Sequence, residues 1–131
     1  MPTTLPDCSS PLHKLAVRGL ELFNEGDYFE AHEALESAWR DEPGSIRELY
    51  QGILQTAVSY LHIQHGNYDG AIKVSARARV KLDKWPATCR GVDVAALRID
   101  LAGVIDALIR LGPQRIAAFD RSLFKPVKYQ R

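Results

Sequence analysis

The sequence predicts an all-α fold, an antiparallel helical bundle of about five helices whose hairpins resemble those of tetratricopeptide repeats. Three observations lead there. Apolar residues recur every three or four positions, and no segment alternates with the period of two expected of a half-buried strand. Capping residues and Gly or Pro stops divide the chain into helical segments with joints of two to ten residues, the connection length of antiparallel neighbours. Finally, Gly26-Asp27-Tyr28-Phe29-Glu30-Ala31 and Gly66-Asn67-Tyr68-Asp69-Gly70-Ala71 share a pattern 40 positions apart. Each is a helix stop, a new cap, an aromatic residue and a small residue at a close helix crossing. Two copies predict two similar helical hairpins rather than a repeat array, which would need more units at a shorter period.

In chain order, Ser10-Pro11 is the expected start of the first helix, with a cap followed by proline at the first helical position. Leu12, Leu15, Gly19, Leu22 and Phe23 then keep helical spacing up to Gly26. Asp27 with Glu30 forms a capping box for a second helix that runs to about Asp41, before Pro43-Gly44. Ser45 with Glu48 is a second capping box, opening a third helix that ends near Gly66. Asn67 caps a fourth, which carries Lys73, Arg77, Arg79, Lys81 and Lys84 and stops before Pro86. Asp93 caps a fifth through Val94, Leu97, Leu101, Val104 and Leu108, closed by Gly112-Pro113. A short helix at about 114–122 and a basic tail follow. The expected organisation is a flexible N-terminus (1–10), one helical-bundle domain (11–122) and a loosely held C-terminal tail (123–131).

With 131 residues, 46% hydrophobic and 25% charged, the chain can bury about two-thirds of its unfolded surface without crosslinks. A formal net charge of +1 gives no reason to expect nucleic acid as a partner. No apolar run approaches the roughly 20 residues of a membrane span, and the first residues lack the basic and apolar regions of a signal peptide. The two cysteines, Cys8 and Cys89, suggest no disulfide framework and fit a reducing cytoplasm. The expectation is a soluble cytoplasmic protein.

The chemistry concentrates on the second helix. His32 and Glu36 are one turn apart and so share a face. On a helical wheel they flank the apolar sector formed by Tyr28, Ala31, Leu35, Ala38 and Trp39. Glu30, Glu33, Ser37 and Arg40 fall further round, toward solvent; Glu30 is explained as a cap and Glu33 is borderline. An imidazole beside a carboxylate suits a divalent metal or a proton-transfer pair, and equally suits a hydrogen-bonded pair that holds the bundle together. The third helix is unusual in carrying no charged residue from Leu49 to Gln64 when His62 is neutral. Its polar residues Gln51, Gln55, Ser59 and His62 form a narrow stripe, as expected of a seam facing another helix or a cavity. Were that seam to face the second helix, His62 and Gln55 would join His32 and Glu36. The run His32-Glu33-Ala34-Leu35-Glu36 is one residue short of the zinc-protease pattern, because Glu36 stands where a second histidine would be. A third ligand must therefore come from elsewhere, and His62 is the best placed. His13 and His65, near helix ends, read as solvent-facing, and the cationic face of the fourth helix reads as solvated surface, with a phosphate-bearing ligand or RNA as a weaker option.

The stretch Phe23-Asn24-Glu25-Gly26-Asp27-Tyr28-Phe29-Glu30-Ala31-His32-Glu33-Ala34-Leu35-Glu36-Ser37-Ala38-Trp39 resembles the signature of a bacterial and archaeal family, domain-of-unknown-function family 309. Its hallmark His-x-x-x-Glu-x-x-Trp/Tyr falls on His32, Glu36 and Trp39. A second block is similar as well, from Tyr50 to Val58, then His62 and Gly66 to Ala71. The resemblance covers about residues 20–85. It implies a small helical fold and a metal-binding motif, and brings no established activity.

Two functions follow. In the first, a polar pocket between helices two and three holds a divalent metal (zinc, iron, manganese or nickel). His32, Glu36 and His62 are its ligands, and Gln55, Gln51, Glu33, Tyr28, Trp39 and Tyr50 line the pocket. Hydrolysis is the natural reaction class for a metal with an open position. In the second, the chain is a non-enzymatic helical scaffold and the His–Glu pair is structural. The partner in either case is an unidentified small molecule or protein, and a homo-oligomer is compatible with both.

Overall fold

A computed structural model describes residues 6–130. It contains five α-helices: α1 (Lys14–Asn24), α2 (Tyr28–Asp41), α3 (Arg47–Gln64), α4 (Tyr68–Asp83) and α5 (Val94–Leu111). A two-stranded hairpin, β1 (Thr88–Cys89) and β2 (Val92–Asp93), separates α4 from α5. Three short 3-10 turns complete the fold, at Pro6–Ser9, Pro113–Ala118 and Arg121–Leu123. The helices pack in succession, with α2 on α1, α3 on α2, α4 on α3 and α5 on α4. No helix among the described residues is long and apolar enough to cross a membrane.

The repeated Gly-Asp/Asn-Tyr pattern produces two turns of the same construction. Gly26 and Gly66 take φ of 84° and 73°, the left-handed conformation that only glycine adopts without strain. After α1, the Gly26 N–H donates to the Phe23 carbonyl (2.9 Å) and the Asp27 N–H to Leu22 (2.9 Å). After α3, Gly66 donates to Ile63 (3.1 Å) and Asn67 to His62 (2.8 Å). Each is a Schellman closure, satisfying carbonyls that the helix end would leave bare. The following side chain caps the next helix. Asp27 accepts from the Glu30 N–H at 3.2 Å and Asn67 from the Gly70 N–H at 2.9 Å. The α1–α2 and α3–α4 pairs are thus matching helical hairpins.

Close approach of α1 and α2 depends on Gly19. A Cβ there would lie 2.6 Å from Cγ of Leu35, a fully buried side chain. Gly19→Val is therefore expected to cost about 2–3 kcal/mol by overpacking, measured by urea denaturation, despite valine's better helix propensity. A variant as stable as the parent would show that the two helices can part without loss.

Two expected helix starts are displaced. The first helix is capped by His13, not Ser10, with Nδ1 accepting from the Leu15 N–H at 3.0 Å. The His13 N–H in turn donates to the Tyr50 hydroxyl at 3.0 Å, which draws the chain from Ser10 to Leu12 out of the helix. At the third helix the cap position is Ile46, whose side chain is fully buried. Glu48, expected to fold back in a capping box, instead reaches Lys81 (3.1 Å) and Lys84 (2.7 Å) and ties α3 to α4. Those two ammonium groups hold the Glu48 carboxyl below its usual range.

Both chain ends depart from expectation. Cys8 and Cys89 form a disulfide, contrary to the reading of two unpaired thiols, so the argument for a reducing compartment loses its premise. Spacing gave no hint because 81 positions separate the partners. Of the N-terminal segment expected to be flexible, residues 1–5 lie outside the described residues, while Cys8 is buried against the hairpin. The tail is not a loose arm. Val127 is buried, and the Asn24 side chain both accepts from its N–H (2.8 Å) and donates to its carbonyl (3.0 Å). Tyr129 forms a bridge with Val92 beside the hairpin. Phe124 stacks on Tyr60 at 4.4 Å and joins Phe23, Tyr28 and Phe119 in an aromatic cluster. The short strands escaped sequence reading because two residues cannot display a period.

Candidate metal centre on the second helix

α2 is fixed by its cap at Asp27 and by the buried face Tyr28, Ala31, Leu35 and Ala38. That anchoring turns His32, Glu33 and Glu36 toward the border between core and solvent. One ligand atom from each of the three lies within 4.8 Å of the others, the only such group of three among the described residues. His32 Nδ1 is 3.6 Å from Glu33 Oε2, beyond a hydrogen bond, and is buried with no hydrogen-bond partner. Glu36 Oε1 lies 3.5 Å from Arg40 Nη2, an exposed ion pair one turn along the helix. The Phe29 ring tilts over the imidazole with centroids 5.9 Å apart. Metal–nitrogen and metal–oxygen bonds of about 2.0–2.2 Å put two ligand atoms of one tetrahedral ion roughly 3.4 Å apart. The 3.6 Å between His32 Nδ1 and Glu33 Oε2 is close to that spacing.

The remaining residues expected at the site lie elsewhere. His62 Nδ1 faces the Asn67 side chain at 3.2 Å, by the turn into α4. A Cβ on Gly70 would come within 3.0 Å of the same nitrogen. Gln55 lines a groove with Ala76 and Val80 of α4. The α3 stripe thus turns Gln55 and His62 to α4, and the expected pocket between helices two and three is not built from them. Gln51 is half-buried on α3. Tyr28 is in the aromatic cluster, 5.4 Å from Tyr60 between ring centroids. Burial raises the phenol pKa of both tyrosines, so both hydroxyls stay neutral. Trp39 packs under the Arg47 guanidinium, 4.2 Å from its ring centroid. Glu33, borderline and turned toward solvent by sequence, belongs to the group.

Sequence reading also missed a buried polar network at the opposite end of the bundle. Arg90 Nη1 donates to Glu42 Oε1 (3.1 Å), to the Tyr50 hydroxyl (3.0 Å) and to the Pro11 carbonyl (3.3 Å). Beside it, His13 Nε2 lies 3.3 Å from Asp41 Oδ2, so His13 is engaged rather than solvent-facing. Only the Arg-Gly pair at a turn hinted at this arrangement.

Residues 16–74 match the family described as a domain of unknown function, DUF309. An uncharacterized protein of Aquifex aeolicus is 28% identical over 86 residues, covering 63% of this chain and 25% of its own. The uncharacterized protein YpuF of Bacillus subtilis is 40% identical over 53 residues, covering 40% of this chain and 30% of its own. The chain therefore spans less than a third of either relative. The matched region begins in α1, takes in α2 and α3 with the group His32, Glu33 and Glu36, and ends within α4. Over residues 16–74 this chain is similar to the DUF309 family.

Proposed function

We propose that the chain binds one divalent metal ion through His32, Glu33 and Glu36. One observation carries the reading: a buried imidazole nitrogen with no hydrogen-bond partner, beside two carboxylates on one helical turn. A buried polar atom left unpaired costs about 1–3 kcal/mol, and an ion would satisfy it. Glu33 takes the role expected of His62. Three protein ligands leave coordination positions for water, as in catalytic rather than structural zinc sites. Zinc, iron, manganese and nickel all suit an imidazole and two carboxylates. Hydrolysis is the reaction class such a site would supply, with Arg40 beside Glu36.

A scaffold reading has its own support. Glu36 already has a partner in Arg40, and the matched region takes in the first helical hairpin and opens the second, a form that can present faces to other proteins. Elemental analysis of untagged protein purified without chelators separates the two. Metal binding predicts near-stoichiometric metal in the wild type and none in His32→Ala/Glu36→Ala. Both side chains are partly exposed, so the double variant should stay folded, within about 1 kcal/mol of the parent. At an ion concentration a hundredfold above Kd, the wild type alone should gain about 2.7 kcal/mol of stability. No metal in either protein after soaking with zinc, manganese, iron and nickel would leave the scaffold reading.

A further inference from the structure

We propose that the acidic outer face of α2 docks on the cationic groove of α4 in a second copy of this chain. Charge is sharply divided between these two helices. α2 carries four carboxylates and one arginine, whereas α4 carries four Lys or Arg and two aspartates. Each face also bears a large apolar side chain that this fold leaves in water, Phe29 at 52% exposure and Val80 at 62%.

The two surfaces fit by chemistry as well as charge. On α4, Ala76 and Val80 with Gln55 of α3 make an apolar groove flanked by Arg77 and Lys81. Lys81 is engaged by Glu48, which leaves the exposed Arg77 and Lys73 to meet outside carboxylates. On α2, Asp27, Glu30 and Glu33 line a shallow groove against α1, where Arg18 forms part of the wall, and exposed Phe29 precedes Glu30. Phe29 is the knob for the Ala76–Val80 groove, and Glu30 is the carboxylate for Arg77. Burial of an aromatic anchor supplies the affinity, while the opposed charges set which faces meet. Neither face is covered by another part of the chain among the described residues. A second copy brings both halves of the match from one sequence, and for that reason it is favoured over a foreign acidic helix.

The test is the molar mass of the full chain by light scattering after EDTA treatment, which removes any bridging ion. Samples run from about 10 to 300 μM at roughly 50 and 500 mM NaCl. Wild type should associate as concentration rises, and more strongly at low salt. A discrete dimer means that the two contacts close on each other, and continued growth means head-to-tail addition; both support the proposal. Val80→Glu and Arg77→Glu should each weaken association at least tenfold, as should Glu30→Lys. Combining Arg77→Glu with Glu30→Lys should restore it, because the two reversed charges attract again. These positions are exposed, and circular dichroism will confirm that each variant folds. A wild type that stays monomeric at every concentration and salt would overturn the proposal, as would association that none of these substitutions changes.

Discussion

Replacing Arg90 with alanine is expected to remove about 3–5 kcal/mol of stability, a large share of what a domain of this size holds. The Arg90 side chain is only 7% exposed and its Glu42 partner 15%. The guanidinium serves an acid on the segment after α2, a phenol on α3 and a carbonyl on the N-terminal segment. Truncation strands the Glu42 carboxylate in a poorly hydrated site and leaves the Tyr50 hydroxyl without that donor. Arg90 also holds a φ of 50°, at a hairpin turn completed by Gly91 at 80°. Such a turn prefers Asn-Gly, and a side chain there costs roughly 1–2 kcal/mol. The protein accepts that strain in order to aim the guanidinium inward. Arg90→Gly separates the two effects, since it relieves the backbone while losing the ion pair. It should be less damaging than Arg90→Ala by about 1 kcal/mol, yet still clearly destabilised. Urea denaturation of both variants checks this. A loss under 1 kcal/mol in Arg90→Ala would mean that water replaces the guanidinium at Glu42.

What could be read in the sequence follows from the range of the forces involved. Gly26, Asp27, Gly66 and Asn67 act on neighbours within five positions, and so the joints of both hairpins were visible in the residues themselves. The His32–Glu36 spacing was visible for the same reason, because a helix alone puts them on one face. Its surroundings were not. The direction of the α3 stripe depends on how α4 packs, and Gly52 decides that at a distance. A Cβ on Gly52 would fall 2.9 Å from Leu82 of α4, so this bare position lets α4 settle where Gln55 and His62 meet it. Glu48 was read as a local cap, whereas two lysines more than 30 positions away outcompete its own helix end. The contact between Val127 and Asn24 spans 103 positions and carries no local signature at all.

Reduction of the Cys8–Cys89 bond should produce an effect of similar size by a different route. The bond closes a loop across 81 positions, and the chain-entropy estimate for such a loop is about 4.5 kcal/mol. Its origin lies mainly in the unfolded chain, which the crosslink deprives of conformations. Residues 16–74 sit wholly inside the closed loop, so both hairpins should be destabilised together without loss of a contact between them. Melting of the oxidised and reduced protein should therefore differ by roughly 12–20 °C, with native circular dichroism unchanged below the transition. Cys8→Ser/Cys89→Ser should melt like the reduced protein and ignore reductant. The two large effects should not add. Arg90 follows Cys89 directly, and its N–H donates to the Cys8 carbonyl at 2.8 Å, so the crosslink holds the turn that aims the guanidinium. Once the bond is cut, that turn is held less firmly and Arg90→Ala has less to remove, giving a coupling of about 0.5–3 kcal/mol in a double-mutant cycle. Strict additivity would mean that the hairpin holds its shape without the crosslink. The proposed metal site is the control: if His32, Glu33 and Glu36 of α2 hold an ion, folded reduced protein should bind it as the oxidised form does. Equal melting before and after reduction, with both thiols titratable, would show that the N-terminal segment contributes nothing to the constraint.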